Sequence, residues 1–256
     1  MEPNPMNMYD VCVVGAGVVG CAIARELGHR PRKAPLRIIV LEQRERAGEE
    51  TSSRNSGVLH SGIHEYPGSL KAELAREGSA LAVSYALQKD IPLLRTGMVI
   101  AIARDDIRRG LWREVSMLRR LWINAWRTHI RMSFVTPSGL RAWEPNLRAS
   151  CGIVIPSVCV IDSLAFVQSL RNDSESTGVE FAFNNRVIGI DTETADYTIT
   201  TDRQKIRAAC LINAAGLYAD DVAALASSYN KYSICPLRGE YYELVNSAKK
   251  HLIGRL

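Results

Sequence analysis

Gly15-Ala16-Gly17-Val18-Val19-Gly20, followed by Glu42, is a set of residues able to hold a pyrophosphate and a sugar diol together. Glycine at 15 permits a tight turn, and glycine at 17 leaves no side chain in the path of a phosphate. Glycine at 20 lets a helix pack close to a strand, while the free N–H groups of that helix's first turn attract anions. A carboxylate at 42 can accept hydrogen bonds from both hydroxyls of an adenosine ribose and repels a 2′-phosphate. The chemistry implied is dinucleotide binding. It requires one setting, a strand, a turn, a helix and a second strand, and the chain provides it. An apolar run from Tyr9 to Val14 leads in, an amphipathic segment from Cys21 to Leu27 follows with Gly28 as its expected stop, and the apolar run Arg37 to Leu41 ends on Glu42.

The rest of the composition narrows the class. With 256 residues, 46% hydrophobic and 23% charged, the chain can bury one large core or two small ones. No apolar run approaches the ~20 residues of a membrane span. Met1 to Asn7 carries no Lys or Arg, so neither a signal nor a transit peptide is expected and the expected compartment is cytoplasmic. Six cysteines without C-x-x-C spacing read as buried free thiols, and no metal site is expected. The net charge is +5, an excess that residues 104–131 alone would supply. In that segment Leu111, Val115, Leu118, Trp122 and Trp126 recur at helical spacing among arginines. It reads as an amphipathic helix with a solvated basic face, or as a peripheral contact with an anionic membrane or a partner. Nothing else in the chain suggests nucleic-acid binding.

Further along, Ser69 to Lys89 reads as a helix with Leu70, Leu74, Leu81 and Leu87 among its apolar positions. Gly97 to Ala103 reads as a strand, and Pro137 to Pro145 as a loop. Ser163 to Ser174 reads as a helix with Asp162 as its N-cap. Strands are expected at Val179–Phe183, Arg186–Asp191, Tyr197–Thr200 and Ile206–Ile212. Asn213-Ala214-Ala215-Gly216 then forms a second small-residue strand-to-helix turn, with a helix from Tyr218, and Tyr232 to Leu244 reads as a further strand pair. A sheet that returns to its ligand so late implies a nucleotide domain interrupted by another. The expected fold is α/β, a Rossmann-like domain with a parallel central sheet and an inserted antiparallel α+β domain. The expected division is 1–92 and 157–231 against 93–156 and 232–256.

Three longer motifs carry a resemblance. They are Glu50-Thr51-Ser52-Ser53-Arg54-Asn55-Ser56-Gly57-Val58-Leu59-His60-Ser61-Gly62-Ile63 running into Pro67-Gly68-Ser69-Leu70-Lys71-Ala72, then Asn213-Ala214-Ala215-Gly216-Leu217-Tyr218-Ala219-Asp220, then Pro236-Leu237-Arg238-Gly239-Glu240-Tyr241-Tyr242-Glu243-Leu244. Together they resemble the L-2-hydroxyglutarate dehydrogenase/oxidase branch of FAD-dependent oxidoreductases, from Tyr9 to about Leu256. Two departures stand out. Members of the branch continue beyond the Arg-Gly-Glu-Tyr-Tyr motif, and His64-Glu65-Tyr66 replaces more usual aromatic and small residues.

The resemblance implies FAD as cofactor, with Gly15, Ala16, Gly17, Val18 and Val19 at the pyrophosphate. It puts Glu42 on the ribose and Gln43 and Arg44 near the adenine end. Thr51, Ser52, Ser53, Asn55, Ser56 and Gly57 run along the pyrophosphate and ribityl chain, Val187 offers backbone groups to adenine, and Ala215 and Gly216 let the backbone pass close. Oxidation of a 2-hydroxy acid takes the hydroxyl proton and passes the α-hydride to the flavin, so it needs a base and a cationic clamp. His60 is the expected base, with His64 second; Arg238 is the expected clamp, and Tyr241 or Tyr242 adds a hydroxyl donor. The substrate implied is L-2-hydroxyglutarate, with an electron acceptor that the sequence does not identify. The alternatives are a glycerol-3-phosphate dehydrogenase-like flavoprotein and a catalytically silent shortened paralogue, and the chain as given is expected to bind FAD weakly and to turn over L-2-hydroxyglutarate poorly or not at all.

Overall fold

The computed structural model describes residues 8–193, 195–227 and 232–240. The chain opens with β1 (Met8–Val14), α1 (Val18–His29) and β2 (Ile38–Leu41). It continues through β3 (Val58–Leu59), α2 (Leu70–Gln88), β4 (Leu93–Leu94), β5 (Met98–Ile102) and α3 (Arg104–Thr128). Next come β6 (Ser133–Val135), α4 (Pro137–Trp143), β7 (Cys151–Ile155) and β8 (Cys159–Ile161). The last described elements are α5 (Ser163–Ser176), β9 (Glu180–Ala182), β10 (Val187–Asp191), β11 (Tyr197–Thr201), β12 (Lys205–Asn213), a 3₁₀ turn Gly216–Tyr218 and α6 (Ala219–Ala226). These elements form two compact units, one from 1–55 and 163–238, the other from 56–162 and 239–256.

The first unit is built on a six-stranded sheet of order β10-β11-β12-β1-β2-β9. β12, β1, β2 and β9 run parallel, and β10 and β11 add an antiparallel edge. All four residues of β2 are buried, as a central parallel strand covered on both faces requires. α1 packs through small residues, Gly20, Cys21 and Ala24, and a side chain at 20 would strike the carbonyl of Gly15. Arg25 ties α1 to Asp173 of α5 at 3.0 Å. Gly28, expected to stop α1, lies inside it; a side chain there would strike Thr177, so this glycine serves packing.

The second unit holds two three-stranded antiparallel sheets, β3-β8-β4 and β5-β7-β6, with α2, α3 and α4. Its core joins Ile63, Leu121, Ala125, Ile153, Ile155 and Val158. Asn124, buried on α3, donates through Nδ2 to the carbonyls of Ile63 and Glu65, both at 2.6 Å, and so fixes the loop after β3. The division between units falls at 55/56 rather than 92/93, because β3 and β4 both pair with β8 and carry Ser56–Pro92 with them.

The elements differ from expectation at four places. Residues 137–143 are helical, not loop: Thr136 caps the Gly139 N–H at 3.3 Å and Pro137 takes the first turn, where its missing N–H costs nothing. On α2 the buried residues are Ala72, Ala82, Tyr85 and Ala86, while Leu70, Leu74, Leu81 and Leu87 are exposed. On α3 the buried positions are Leu121, Asn124, Ala125 and Thr128, whereas Val115, Trp122 and Trp126 face outward; the Leu111 side chain lies outside the described residues. Residues 232–240 contain no strand, and 241–244 lie outside the described residues. Of the cysteines, Cys12, Cys21 and Cys159 are buried, Cys151 is half-buried, and Cys210 and Cys235 are exposed; all six are free.

Candidate functional site

The parallel register sets the site. Val14 of β1 lies abreast of Leu41 of β2 and of Asn213 of β12. The three segments that follow, Gly15–Gly17, Glu42–Gln43 and Ala214–Gly216, therefore leave the same end of the sheet side by side. Carboxyl ends of parallel strands are where ligands of open α/β sheets bind. Between them lies a crevice of about 530 Å³, well within the range of small-molecule sites. Gly15, Gly17, Glu42, Gln43, Thr51, Ser52, Val187, Ala215 and Gly216 line it, all of them expected from the sequence.

Backbone contacts hold this crevice in shape. Gly15 has φ of +103° and its N–H donates to the Leu41 carbonyl at 2.7 Å; a Cβ there would come within 2.6 Å of the Ala214 carbonyl. Only glycine meets both demands. Glu42 is 9% exposed and accepts from two main-chain donors: the Ala16 N–H through Oε2 at 2.8 Å and the Arg44 N–H through Oε1 at 2.8 Å. α1 starts with Gly17 as N-cap, with no side-chain cap and no acid in its first turn. Its Val18 N–H donates to the Ser52 hydroxyl at 2.9 Å, which brings the loop after Glu50 against the helix start.

The far rim is set by long-range pairing past the strand ends. The Glu42 N–H donates to the Ala182 carbonyl at 2.9 Å, and the Asn185 N–H to the Glu42 carbonyl at 2.8 Å. Asn185 is itself buried, accepting from Thr201 Oγ1 at 3.1 Å and Gln204 Nε2 at 3.0 Å. These bonds bring Asn185, Arg186 and Ile188 to the crevice, with Glu50, Tyr218 and Asp221, none expected as ligand contacts. Asn185 and Arg186 had a signal in their place just before Val187, and Asp221 in its place after the second glycine turn. Asp220, next to it, accepts from the Ile234 N–H at 2.8 Å, which with further backbone donors holds its carboxyl below the ordinary range.

A model of the DAO family, described as FAD dependent oxidoreductase, matches residues 10–255. The chain belongs to this family. FAD is accordingly the cofactor of the family to which it belongs. Among curated proteins the chain is 28% identical over 240 residues to a glycerol 3-phosphate dehydrogenase of Caloramator mitchellensis, covering 93% of the chain and 48% of that protein. It is 29% identical over 250 residues to the L-2-hydroxyglutarate dehydrogenase of Escherichia coli strain K12, covering 96% of the chain and 57% of that protein. The chain thus spans about half the length of these relatives. Among solved structures, glycine oxidase from Geobacillus kaustophilus matches with a TM-score of 0.74 at 22% identity, over 86% of this chain and 58% of that one, a likeness of fold.

The crevice of this DAO-family chain fits the ADP half of FAD by its own chemistry. A Cβ at Gly17 would stand 3.1 Å from Ser52 Oγ and narrow the mouth, while the first turn of α1, whose Val18 N–H already donates to Ser52, leaves its following N–H groups to an anion. Both Glu42 oxygens keep a lone pair after their backbone bonds. Other expected residues sit away from the crevice lining. Ala16 is buried and contributes its N–H to Glu42, and Val19 is 59% exposed. The Arg44 guanidinium pairs with Glu50, and Tyr218 also bonds it. The Ser53 hydroxyl donates to the Glu50 carbonyl, and Asn55 donates to the carbonyls of Thr51 and Ser52, so both shape the loop. Ser56 is exposed. Gly57 accepts from the Ile161 N–H, and a Cβ on it would lie 2.5 Å from the Ile161 carbonyl. His60, just after β3, is exposed, as are His64 and Arg238; Tyr241 lies outside the described residues.

No helix among the described residues is long and apolar enough to cross a membrane, and no cluster of metal-ligating side chains occurs among them.

Proposed function

We propose that the chain binds FAD in the crevice of its first unit and oxidises a small 2-hydroxy acid, L-2-hydroxyglutarate first. The observation that carries the reading is the side-by-side exit of Gly15–Gly17, Glu42–Gln43 and Ala214–Gly216 from one sheet end. In this reading Gly15, Gly17 and the start of α1 receive the pyrophosphate, and Glu42 bonds the ribose. Gln43 and the Val187 backbone border the adenine, and the loop from Thr51 follows the ribityl chain. When bound, FAD supplies the hydride acceptor for oxidation at an alcohol carbon. The chain supplies His60 as the base for the hydroxyl proton and Arg238 with Tyr241 to hold carboxylates. The reading includes an electron acceptor that the sequence does not identify to take the electrons onward, and a peripheral membrane contact through the basic segment 104–131.

The resemblance of the Arg238-Gly239-Glu240-Tyr241-Tyr242 string and the similarity to L-2-hydroxyglutarate dehydrogenases support this substrate. The similarity to a glycerol 3-phosphate dehydrogenase supports a second, a phosphorylated polyol. The test is dye-linked turnover of the FAD-loaded chain with L-2-hydroxyglutarate, its D enantiomer and glycerol 3-phosphate. Preference for L-2-hydroxyglutarate is expected; turnover of glycerol 3-phosphate alone selects the second reading, and turnover of neither overturns both.

A further inference from the structure

The second unit carries a basic basin that the flavin reading does not use. Arg119, Arg120 and Arg127 of α3 line a cavity of about 480 Å³ together with His64, Glu65 and Tyr66 from the loop after β3. Among the described residues Glu65 is the one carboxylate on its lining, and Lys71 already pairs with it at 2.9 Å. None of the three arginines has a carboxylate partner among the described residues. His64, exposed but partly desolvated at the cavity wall, is less basic than usual, first for that reason and then through His60 and Arg120 beside it, with Glu65 opposing. Three guanidinium groups around one cavity, none paired with a carboxylate among the described residues, make a receptor for an oxyanion that takes forked hydrogen bonds.

The helix says which oxyanion. Residues three, four and seven apart share a face, and α3 presents three arcs in turn. Leu121, Asn124, Ala125 and Thr128 are buried in the unit. Trp112, Trp122 and Trp126 form the next arc, with Arg119 among them, and the three tryptophans are 85%, 51% and 75% exposed. Phe134, 58% exposed, stacks on Trp122 with centroids 5.3 Å apart and widens this surface. Arg113, Arg120 and Arg127, one per heptad, form the third arc. A free anion gains nothing from the tryptophan arc beside its basin. At a bilayer surface both arcs are satisfied together, rings at interfacial depth and guanidinium groups on phosphates.

We propose that α3 is a membrane-surface site in which Arg119, Arg120 and Arg127 hold the phosphate of an anionic phospholipid headgroup while Trp122, Trp126 and Phe134 sit in the interface. This rests on the peripheral-contact part of the reading above and is independent of flavin.

The test is sedimentation of the full chain with vesicles of phosphatidylcholine alone, or of phosphatidylcholine with phosphatidylglycerol. The variants are Arg119→Gln/Arg120→Gln/Arg127→Gln and Trp122→Ser/Trp126→Ser, each with far-UV circular dichroism to verify folding. Binding is expected only to the acidic vesicles and should weaken with salt. The arginine variant should lose about 100-fold in affinity, from about fivefold per cation near an acidic surface. The tryptophan variant should lose about 10-fold or more, chiefly in binding that salt does not remove. Acidic-vesicle binding untouched by the arginine substitutions overturns the basin and leaves the membrane contact standing. No binding to either vesicle overturns both. Binding of inorganic phosphate that depends on the three arginines, without vesicle binding, overturns the lipid assignment.

Discussion

Replacing Glu42 separates the two jobs assigned to it, holding the glycine turn and receiving a ribose. Its carboxylate accepts from the Ala16 N–H and the Arg44 N–H, each at 2.8 Å. Ala16 is fully buried, so in Glu42→Ala its N–H has no water to turn to. Arg44 is exposed, and its N–H can be solvated. The loss therefore comes chiefly from the Ala16 bond, about 1.5–3 kcal/mol for a hydrogen bond to a charged acceptor. Glu42→Gln retains one acceptor oxygen for Ala16 and should cost roughly 1 kcal/mol. Urea unfolding of the flavin-free protein reads this directly, as a lower midpoint with an unchanged slope. A separate FAD titration reads the second job: Glu42→Gln should weaken binding about 10- to 100-fold if the ribose hydroxyls use the remaining lone pairs. A Glu42→Ala midpoint equal to the parent's would refute the role in the turn. A lowered midpoint with unchanged FAD affinity would refute the ribose role alone.

Gly17→Val should leave unfolding within about 1 kcal/mol of the parent, since its nearest obstacle is the movable Ser52 hydroxyl, yet should reduce FAD affinity at least ~10-fold by filling the phosphate path; equal affinity by fluorescence titration contradicts this. Asn124→Ala should lower stability by about 1–3 kcal/mol, because the buried Ile63 carbonyl and the half-buried Glu65 carbonyl lose their donor, and a neutral result by calorimetry would show that the loop is held otherwise. Burial pushes the Cys12 and Cys21 thiols up to about 12 from an ordinary 9.0, and burial with the Glu180 bond pushes Tyr9 to about 12 from 10.0. The unfolded chain sheds these protons first, so their contribution is complete below about pH 9 and is lost as pH rises toward 12, by up to about 1.4 kcal/mol per pH unit for each group. Urea midpoints across that interval should fall, and less steeply in Cys12→Ala; a parallel fall refutes the burial argument.

The features legible in the sequence were those set by neighbours in the chain. The glycine pattern marked the β1–α1 turn, the apolar run before Glu42 marked β2, and Asn213–Gly216 marked the return at β12. Those three turns contain the centre of the crevice. Its outer rim was legible only in part: Asn185 and Arg186 stand just before Val187, but what brings them to the crevice is pairing across more than a hundred residues, as between Glu42 and Asn185. The same holds for Gly28 inside α1, where Thr177 leaves no room for a side chain. Helix faces failed for a related reason. On α2 alanines fit against the unit and the larger leucines stay outside, and on α3 the buried polar Asn124 is required by loop carbonyls, which periodicity of apolar residues does not register. Thr136-Pro137 did carry a local helix-start signal, and Pro137 hid it by also suiting a loop.

Calorimetric titration of the purified chain with FAD, ADP and riboflavin in parallel tests most directly whether the crevice seats the ADP half of FAD. The contacts described all lie along the glycine turn, Glu42 and the Val187 rim. FAD and ADP should therefore both bind, FAD the tighter, each losing affinity in Glu42→Gln, while riboflavin should bind at least ~10-fold more weakly than FAD. Riboflavin binding as tightly as FAD, or no binding of ADP, would contradict the placement of the nucleotide in this crevice.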